Sequence, residues 1–189
     1  MSEFQKVLSD FGLGRVAAQL EKAAKGSIRL AAGEPSQEAV SRLGGRPNLP
    51  GEIDWPTSRE GPLAFLAQFD LGGLPPIADL NLPSSGSLYF FYAVGGNPKA
   101  PIDRDLFRVL YSDRPLAESL ARDFLGDLSE EHRWMGYQYL VAKQEISFPW
   151  PEDTVVEQLD LSEQEHEDFY RFSGHWIDSQ GEPQTLHRI

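Results

Sequence analysis

The chain has 189 residues, of which 40% are hydrophobic and 11% aromatic, enough apolar surface for one folded domain or two small ones sharing a core. Its 17 Lys and Arg residues against 29 Asp and Glu give a net charge of -12, which disfavours contact with the phosphate backbone of nucleic acids. The absence of cysteine excludes disulfides, thiolate metal sites and cysteine nucleophiles.

The N-terminal residues mix charged with apolar side chains, unlike the apolar core of an export signal. No apolar run approaches the ~20 residues that a membrane helix needs. We therefore expect a cytoplasmic protein that does not contact a membrane.

Apolar residues recur at steps of three and four over residues 4–24, which predicts helical structure with one apolar face. Gly12 and Gly14 interrupt this pattern, so two short helices are expected. Gly26 is predicted to stop the second helix.

Strand candidates follow through the middle of the chain. Two dense runs rich in aromatic residues predict buried strands at 62–71 and 87–94. Shorter strands are predicted at 27–32 and 106–111, and one or two more over 134–148. Residues 116–124 are compatible with either a helix or a loop turn, and residues 33–62 show no period.

The clearest helix signal begins at Ser162, with Glu165 three residues later in the spacing of a capping box. Helices therefore flank a strand-rich middle, and the predicted class is α+β with a mainly antiparallel sheet. We divide the single predicted domain into N-terminal helices (1–26), a sheet core (27–148) and an acidic helical region (149–189).

The motif Gly-Gly-x-Pro occurs three times, beginning at Gly44, Gly72 and Gly95. Each copy borders a strand candidate, which predicts turns in which the glycines adopt positive φ and the proline fixes the exit direction. None of the copies opens a helix beside a lysine, as a phosphate-binding loop would.

The first copy opens residues 44–56 (GGRPNLPGEIDWP), which we call the strap. Pro47 and Pro50 spell a PxxP ligand, but the flanking basic pattern is missing. Because Trp55 is costly to expose to water, we interpret the strap as a rigid cover packed across the sheet. Its exposed edge, with Arg42, Arg46 and Asp54, is also a candidate wall of a groove.

Signals for catalysis and metal binding are weak. The histidines are His132, His166, His175 and His187, and a metal site is conceivable with Glu131 or with Glu163 and Glu167. No HExxH or His-x-His spacing occurs, so a solvated helix face explains these acids better. No G-x-S-x-G motif is present, and Ser84 and Ser85 before Gly86 predict a hairpin turn. We predict no cofactor, no metal and no catalytic residue, although a site assembled from distant residues stays open.

The strongest functional signal is a run of acids between Lys143 and Arg171 without any intervening Lys or Arg. Its nine carboxylates are Glu145, Glu152, Asp153, Glu157, Asp160, Glu163, Glu165, Glu167 and Asp168. Trp150, Phe169 and Tyr170 lie among them. Acidic side chains that attract a basic protein and aromatic side chains that become buried on contact are suited to a basic protein partner. A solvated, charge-rich surface is the plainer alternative.

Four segments in order resemble the bacterial YwqG-like family of domains of unknown function: IRL (28–30), LGGRPNLPGEIDWP (43–56), PLAFLAQFDL (62–71) and LPSSGSLYFFY (82–92). The resemblance implies an α+β fold built from two related lobes, of which this chain holds the first. The terminal TLHRI resembles the start of a motif that continues into the second lobe, so we expect a fragment or a natural short form. An apolar surface left by the missing lobe would favour self-association.

Some members of this family are thought to act as immunity partners of bacterial toxins, which implies a regulatory binding protein rather than an enzyme. The sequence hypothesis is therefore a binding module that captures a basic protein such as a toxin domain. Its proposed contact residues are Glu152, Asp153, Glu157, Asp160, Glu163, Glu167, Phe169 and Tyr170. The alternative is a small-ligand or catalytic site in a groove beside the strap, with Arg46, Trp55 and Gln68.

Overall fold

Helices lie towards the two ends of the chain and strands between them. The computed structural model describes residues 1–34, 41–59, 61–77, 80–93, 101–128, 130–133 and 136–179. The helices are α1 (Glu3–Asp10), α2 (Ala17–Ala23), α3 (Thr154–Glu157) and α4 (Glu163–Ser179). The strands are β1 (Lys25–Ala32), β2 (Arg42–Leu43), β3 (Thr57–Ser58), β4 (Gly61–Pro62), β5 (Ala64–Asp70), β6 (Ser87–Tyr92), β7 (Phe107–Ser112) and β8 (Gln138–Ser147).

Six strands form one sheet in the order β1-β8-β2-β5-β6-β7, and β3 pairs with β4 separately. The pairs β2–β5, β2–β8, β5–β6 and β6–β7 are antiparallel. The predicted class, α+β with a mainly antiparallel sheet, is confirmed. No helix among the described residues is both long enough and apolar enough to cross a membrane.

The chain divides into two compact units. The first comprises the described parts of Met1–Arg29, Ile77–Leu80 and Gln144–Ile189, and the second those of Leu30–Pro76 and Asn81–Lys143. The N-terminal helices and the acidic helical region, at opposite ends of the sequence, thus belong to the same unit. The division falls inside β1 and inside β8.

The core of the first unit includes the apolar face of α1 and α2 that the sequence periodicity predicts. Its buried residues are Leu8, Leu13, Val16, Ala17, Leu20, Val156, Phe169 and Phe172. The predicted break between the two helices is confirmed, and Gly12 has φ +87° there. The stop predicted at Gly26 is wrong, because Ala24 is already extended and Gly26 lies inside β1.

The core of the second unit lies on one face of β5 and β6. Its buried residues are Leu49, Trp55, Leu63, Phe65, Tyr89, Phe91, Ala93, Leu106, Leu116 and Leu128. Both strands fall within the apolar runs that predicted them. Ser84, Ser85 and Gly86 form a bend before β6, but the connection from β5 runs from residue 71 to 86, so the bend is not a two-residue hairpin.

Short elements account for what the sequence patterns missed. The strands β2, β3 and β4 have two residues each and lie in the segment that shows no period, and α3 has only four. Residues 116–124 contain one 3-10 turn, Leu116–Glu118. Where one or two strands were expected over 134–148, the described residues 136–148 contain one, β8. Elements this short cover too few positions for a period of two or 3.6 to be visible.

Candidate functional site

The acidic region is organised by the N-terminus of α4. The Ser162 hydroxyl accepts a hydrogen bond from the Glu165 backbone N–H at 3.2 Å, and the Glu165 carboxylate accepts one from the Ser162 N–H at 2.9 Å. This reciprocal pair is the predicted capping box. The Arg15 guanidinium also donates to both Glu165 oxygens and to the Asp160 carbonyl. These bonds, first that of Arg15, lower the pKa of Glu165 to about 2.

Three of the nine carboxylates in the acidic run have cationic partners that lie outside the run. Arg29 pairs with Glu145, Arg15 with Glu165, and Arg171 with Asp168. The other six are exposed, and no Lys or Arg of the described residues forms an ion pair with them. We call these six the acidic patch: Glu152, Asp153, Glu157, Asp160, Glu163 and Glu167.

Two exposed aromatic side chains lie beside carboxylates of the acidic patch. The Tyr170 hydroxyl donates to the Glu152 carboxylate, and this bond raises the pKa of Tyr170. The Asp153 carboxylate accepts from the Trp150 backbone N–H at 2.8 Å. Trp150 is 61% exposed and Tyr170 53%. Large apolar rings adjacent to acids therefore face solvent in the first unit.

Phe169 is placed differently from the other proposed contact residues. It is fully buried and stacks against Phe172 with ring centroids 6.1 Å apart. Its side chain stabilises the helix from the core side and is not part of the exposed surface. Trp150 was absent from the proposed contact residues. Its position between Pro149 and Pro151 is a sequence signal for a non-helical tryptophan, whereas its exposure is shown only by the structure.

The candidate metal ligands whose side chains the structure describes are not brought together. Within the described ranges, no group of three or more His, Asp or Glu side chains has an arrangement that would hold a metal ion. The His175 ring packs against Phe11, with centroids 5.2 Å apart. The side chain of His132 and all of His187 lie outside the described part of the chain.

The strap belongs to the second unit and packs against its core, as predicted. Gly44 and Gly45 have φ +59° and +69°, and a Cβ on Gly45 would clash with the ring of Tyr137. Trp55 is buried, donates from Nε1 to the Leu63 carbonyl at 2.8 Å and contacts Phe91 edge to face.

The other two Gly-Gly-x-Pro copies differ from the first. Gly72 and Gly73 form a 3-10 turn without positive φ, so the predicted conformation is wrong for that copy. The Leu71 carbonyl accepts a hydrogen bond from the Leu74 N–H at 3.3 Å. This closes a 3-10 turn, which needs no residue with positive φ. The copy at Gly95 lies outside the described residues.

Asn48 joins the strap to a polar row on the core face of the sheet, formed by Tyr139, Arg42, Gln68 and Tyr89, which are direct cross-strand neighbours. Its backbone N–H donates to the Gln68 amide oxygen at 2.8 Å, and its carbonyl accepts from the Tyr89 hydroxyl at 2.7 Å. The Asn48 side chain accepts from Arg42 at 2.7 Å and donates to the Ser119 carbonyl at 2.7 Å. One asparagine therefore satisfies groups from four parts of the unit.

Arg42 carries a buried charge. Only 5% of it is exposed, whereas the sequence placed it on an exposed edge of the strap, and that expectation is wrong because β2 lies between β5 and β8. Its guanidinium donates to the Arg46 carbonyl and to Asn48 and lies 5.1 Å from the centroid of the Tyr137 ring. No carboxylate of the described residues pairs with it, and its Nε is buried without a hydrogen-bond partner there. Burial lowers the pKa of Arg42.

The three residues of the alternative groove have different environments. Arg46 is exposed and pairs with Asp123. Gln68 is fully buried in the polar row, and Trp55 is buried in the apolar core. The structure thus brings Gln68 next to Arg42, which the sequence placed on the exposed edge of the groove, and next to Asn48, which was absent from the predicted groove. Arg46 lies in a different, exposed environment.

Comparison with known proteins gives a match that covers the strap and the acidic patch. A search of curated protein sequences found no match to the chain. A family model described as "Domain of unknown function (DUF1963)" matches residues 41–189, which include the strap, the sheet from β2 onward and the acidic patch. The chain therefore belongs to the DUF1963 family of domains of unknown function.

Proposed function

We propose that this protein is a non-enzymatic binding module that captures a basic protein partner through the acidic patch. The observation that carries the proposal is the combination of six exposed carboxylates, none with an ion-pair partner among the described residues, and the exposed rings of Trp150 and Tyr170. Paired carboxylates would have to lose a partner before binding a new one. These six are available to meet lysines or arginines directly.

Charge and aromatic area have separate roles in this proposal. The net charge of -12 attracts a basic partner over long range and raises the association rate. The rings of Trp150 and Tyr170 supply apolar area that is lost from water on contact, which slows dissociation. The hydrogen bond from Tyr170 to Glu152 holds one ring beside one carboxylate before the partner arrives.

The YwqG-like resemblance supports a narrower version of the proposal. On that basis the partner is a basic toxin domain encoded beside this chain, and the protein acts as its immunity or regulatory partner in the cytoplasm. A chain without cysteine retains its covalent structure in that reducing compartment.

The direct test is binding of the protein encoded by the neighbouring gene to the variant Glu157→Lys/Glu167→Lys. Glu157 is the last residue of the single-turn helix α3, and Glu167 lies inside α4 beyond its first turn, so neither substitution replaces a residue that opens a helix. We expect affinity to fall by about tenfold or more, because two attractive charges become repulsive.

The matched control is Asp54→Lys/Glu118→Lys, which changes the net charge equally at two exposed acids of the second unit. The control should retain the affinity of the wild type within about twofold, since it leaves the acidic patch intact. A second variant, Trp150→Ala, should speed dissociation. Equal loss in both charge variants, or no loss in either, would reject this surface.

A second candidate function rests on Arg42, which is a buried guanidinium without a carboxylate partner in the described structure. A buried cation is stabilised by an anion, so a small ligand bearing a carboxylate or phosphate would supply the missing charge. This candidate keeps the ligand site near the strap and keeps Gln68 as a contact residue, but it replaces Arg46 and Trp55 with Arg42 and Asn48.

Thermal denaturation with citrate or inorganic phosphate tests this candidate. Ligand at 100 times its dissociation constant should stabilise the wild type by about 2.7 kcal/mol and should not stabilise Arg42→Met. Equal shifts in the two proteins would show that the anions act elsewhere and would reject the Arg42 site.

A further inference from the structure

β7 presents three large apolar side chains to solvent. Phe107, Val109 and Tyr111 are 41%, 51% and 47% exposed, whereas Leu110, between two of them, packs against the core of the second unit. Side chains along β7 therefore alternate between the core and solvent, but those that face solvent are apolar rather than polar. An antiparallel sheet that faces water normally carries polar residues on that side.

The apolar surface continues onto β6. The register pairs Leu88 with Tyr111, Phe90 with Val109 and Tyr92 with Phe107, so these six side chains share the outer face. All six are apolar or aromatic and none is charged. A continuous uncharged surface of this kind marks an interaction site more often than a solvated one.

β7 is also an edge strand, because it ends the strand order and pairs only with β6 among the described strands. The Ala93 N–H donates to the Leu106 carbonyl at 2.8 Å, so Ala93 and Leu106 form a hydrogen-bonded pair at the end of the β6–β7 ladder. Hydrogen-bonded residues alternate along an antiparallel pair, so the backbone groups of Phe107, Val109 and Tyr111 point away from β6. The Arg108 side chain covers the Phe107 carbonyl at 2.8 Å, and that oxygen retains a second lone pair.

We propose that two copies of this chain associate by antiparallel pairing of β7 with β7, about a two-fold axis at Val109. A row of outward N–H and C=O groups is matched by another extended strand. The segment Phe107-Arg-Val-Leu-Tyr111 has an aromatic residue at each end and valine at the centre, so it presents nearly the same outer face in both directions. A two-fold axis requires this self-complementarity.

The centred register is favoured over its neighbours. It places Val109 opposite Val109 and Phe107 opposite Tyr111 of the other copy, so aromatic and aliphatic side chains meet across the axis. A shift of two residues in one direction would place Tyr111 opposite Asp105, and a shift in the other direction would place Phe107 opposite Asp113. Either shift sets a carboxylate against an aromatic ring of the outer face.

Single cysteines test the register, because the natural chain has none. Val109→Cys places two thiols opposite each other with Cα atoms about 5.5 Å apart, within the range that a disulfide spans. Mild oxidation followed by non-reducing electrophoresis should give mostly cross-linked dimer for Val109→Cys. Phe107→Cys alone should cross-link little, and a mixture of Phe107→Cys with Tyr111→Cys should cross-link well.

Sedimentation equilibrium measures the association itself. Wild type should approach twice its 21.2 kDa mass as concentration rises, and Val109→Lys should weaken dimerisation by about tenfold or more, because two like charges would face each other. Leu120→Lys makes the same change at an exposed leucine outside the sheet and should dimerise like the wild type. A wild type that stays monomeric at every concentration would reject the proposal, whether another segment of the chain or a different protein covers β7. Cross-linking that does not depend on position would reject it as well.

Discussion

At the scale of single residues, the environment of a carboxylate depends on the cation that reaches it. Glu165 and Glu163 lie two positions apart in α4, yet of these two only Glu165 pairs with Arg15, which lies 150 residues away in the sequence. Glu165 therefore contributes to the stability of the first unit. Glu163 remains exposed in the acidic patch.

This difference predicts how stability depends on pH. The folded-state pKa of Glu165 is about 2, below its ordinary value of 4.5, so its contribution is complete above pH 4.5 and is lost as the pH falls towards 2. Glu165→Gln should be less stable than wild type at neutral pH and should lose less stability over this acidic range. Urea denaturation at a series of pH values measures both effects.

Glu163→Gln is the matched control for that experiment, because it removes a carboxylate from the same helical turn without breaking a bond to Arg15. Its stability should follow that of the wild type across the pH series. If Glu165→Gln and Glu163→Gln gave the same pH profile, the Arg15 contact would have no role in acid stability.

Asn48 gives a second prediction at the residue scale. Asn48→Ala removes an acceptor from the buried Arg42 guanidinium and the donor to the Ser119 carbonyl, so unfolding free energy should fall by about 2–3 kcal/mol. Much of this loss should disappear in an Arg42→Met background, where no buried charge is left unpaired. Additive effects in a double-mutant cycle, measured by urea denaturation, would contradict the coupling.

At the scale of elements, boundaries that rest on local chemistry were predictable and those that rest on pairing were not. The start of α4 follows from Ser162 and Glu165, and β5 and β6 follow from dense apolar runs. The two-residue strand β2 exists only because β5 and β8 flank it. Its sequence, Arg-Leu, carries no strand signal of its own.

Two glycines in different elements should respond oppositely to alanine. Gly86 has φ +91°, and a Cβ there would clash with the Ser112 carbonyl at the start of the β6–β7 ladder. Gly86→Ala should therefore cost at least about 2 kcal/mol. Gly174 is exposed inside α4 with no atom near its Cβ position, so Gly174→Ala should stabilise by about 0.5–1 kcal/mol. Urea denaturation of the two variants checks both signs, and similar values would refute the conformational argument.

At the scale of the whole molecule, the two proposed surfaces differ in chemistry. The acidic patch, in the first unit, would bind through charge, whereas the outer face of β7, in the second unit, would bind through apolar contact and backbone hydrogen bonds. A change in ionic strength therefore separates the two kinds of association.

Raising the salt concentration from about 0.05 M to about 0.5 M should weaken binding of the basic partner, mainly through a slower association rate. The β7 dimer should be unchanged or slightly stronger, because screening reduces repulsion between two copies that each carry a charge of -12. Surface-based kinetics and sedimentation at both salt concentrations measure the two responses. A dimer that dissociated in high salt would contradict apolar pairing through β7.

The sequence alone determined what depends on near neighbours in the chain. Helical periodicity gave α1 and α2, the capping box at Ser162 and Glu165 gave α4, and the aromatic runs gave β5 and β6. The proline-rich strap with Trp55 was recognisable as a packed cover. These features rest on contacts between residues a few positions apart or on the cost of exposing a large ring. Composition likewise excluded every form of cysteine chemistry.

Only the tertiary structure decided which residues are free to act. It showed that Arg15, Arg29 and Arg171 pair with three of the nine acids, that Phe169 and Arg42 are buried, and that β7 lies at the sheet edge with its apolar side outward. Ion pairs, burial and strand order depend on residues that are distant in sequence and meet only when the chain folds. No local sequence pattern predicts such a contact, because its free energy depends on two residues that are far apart in the sequence.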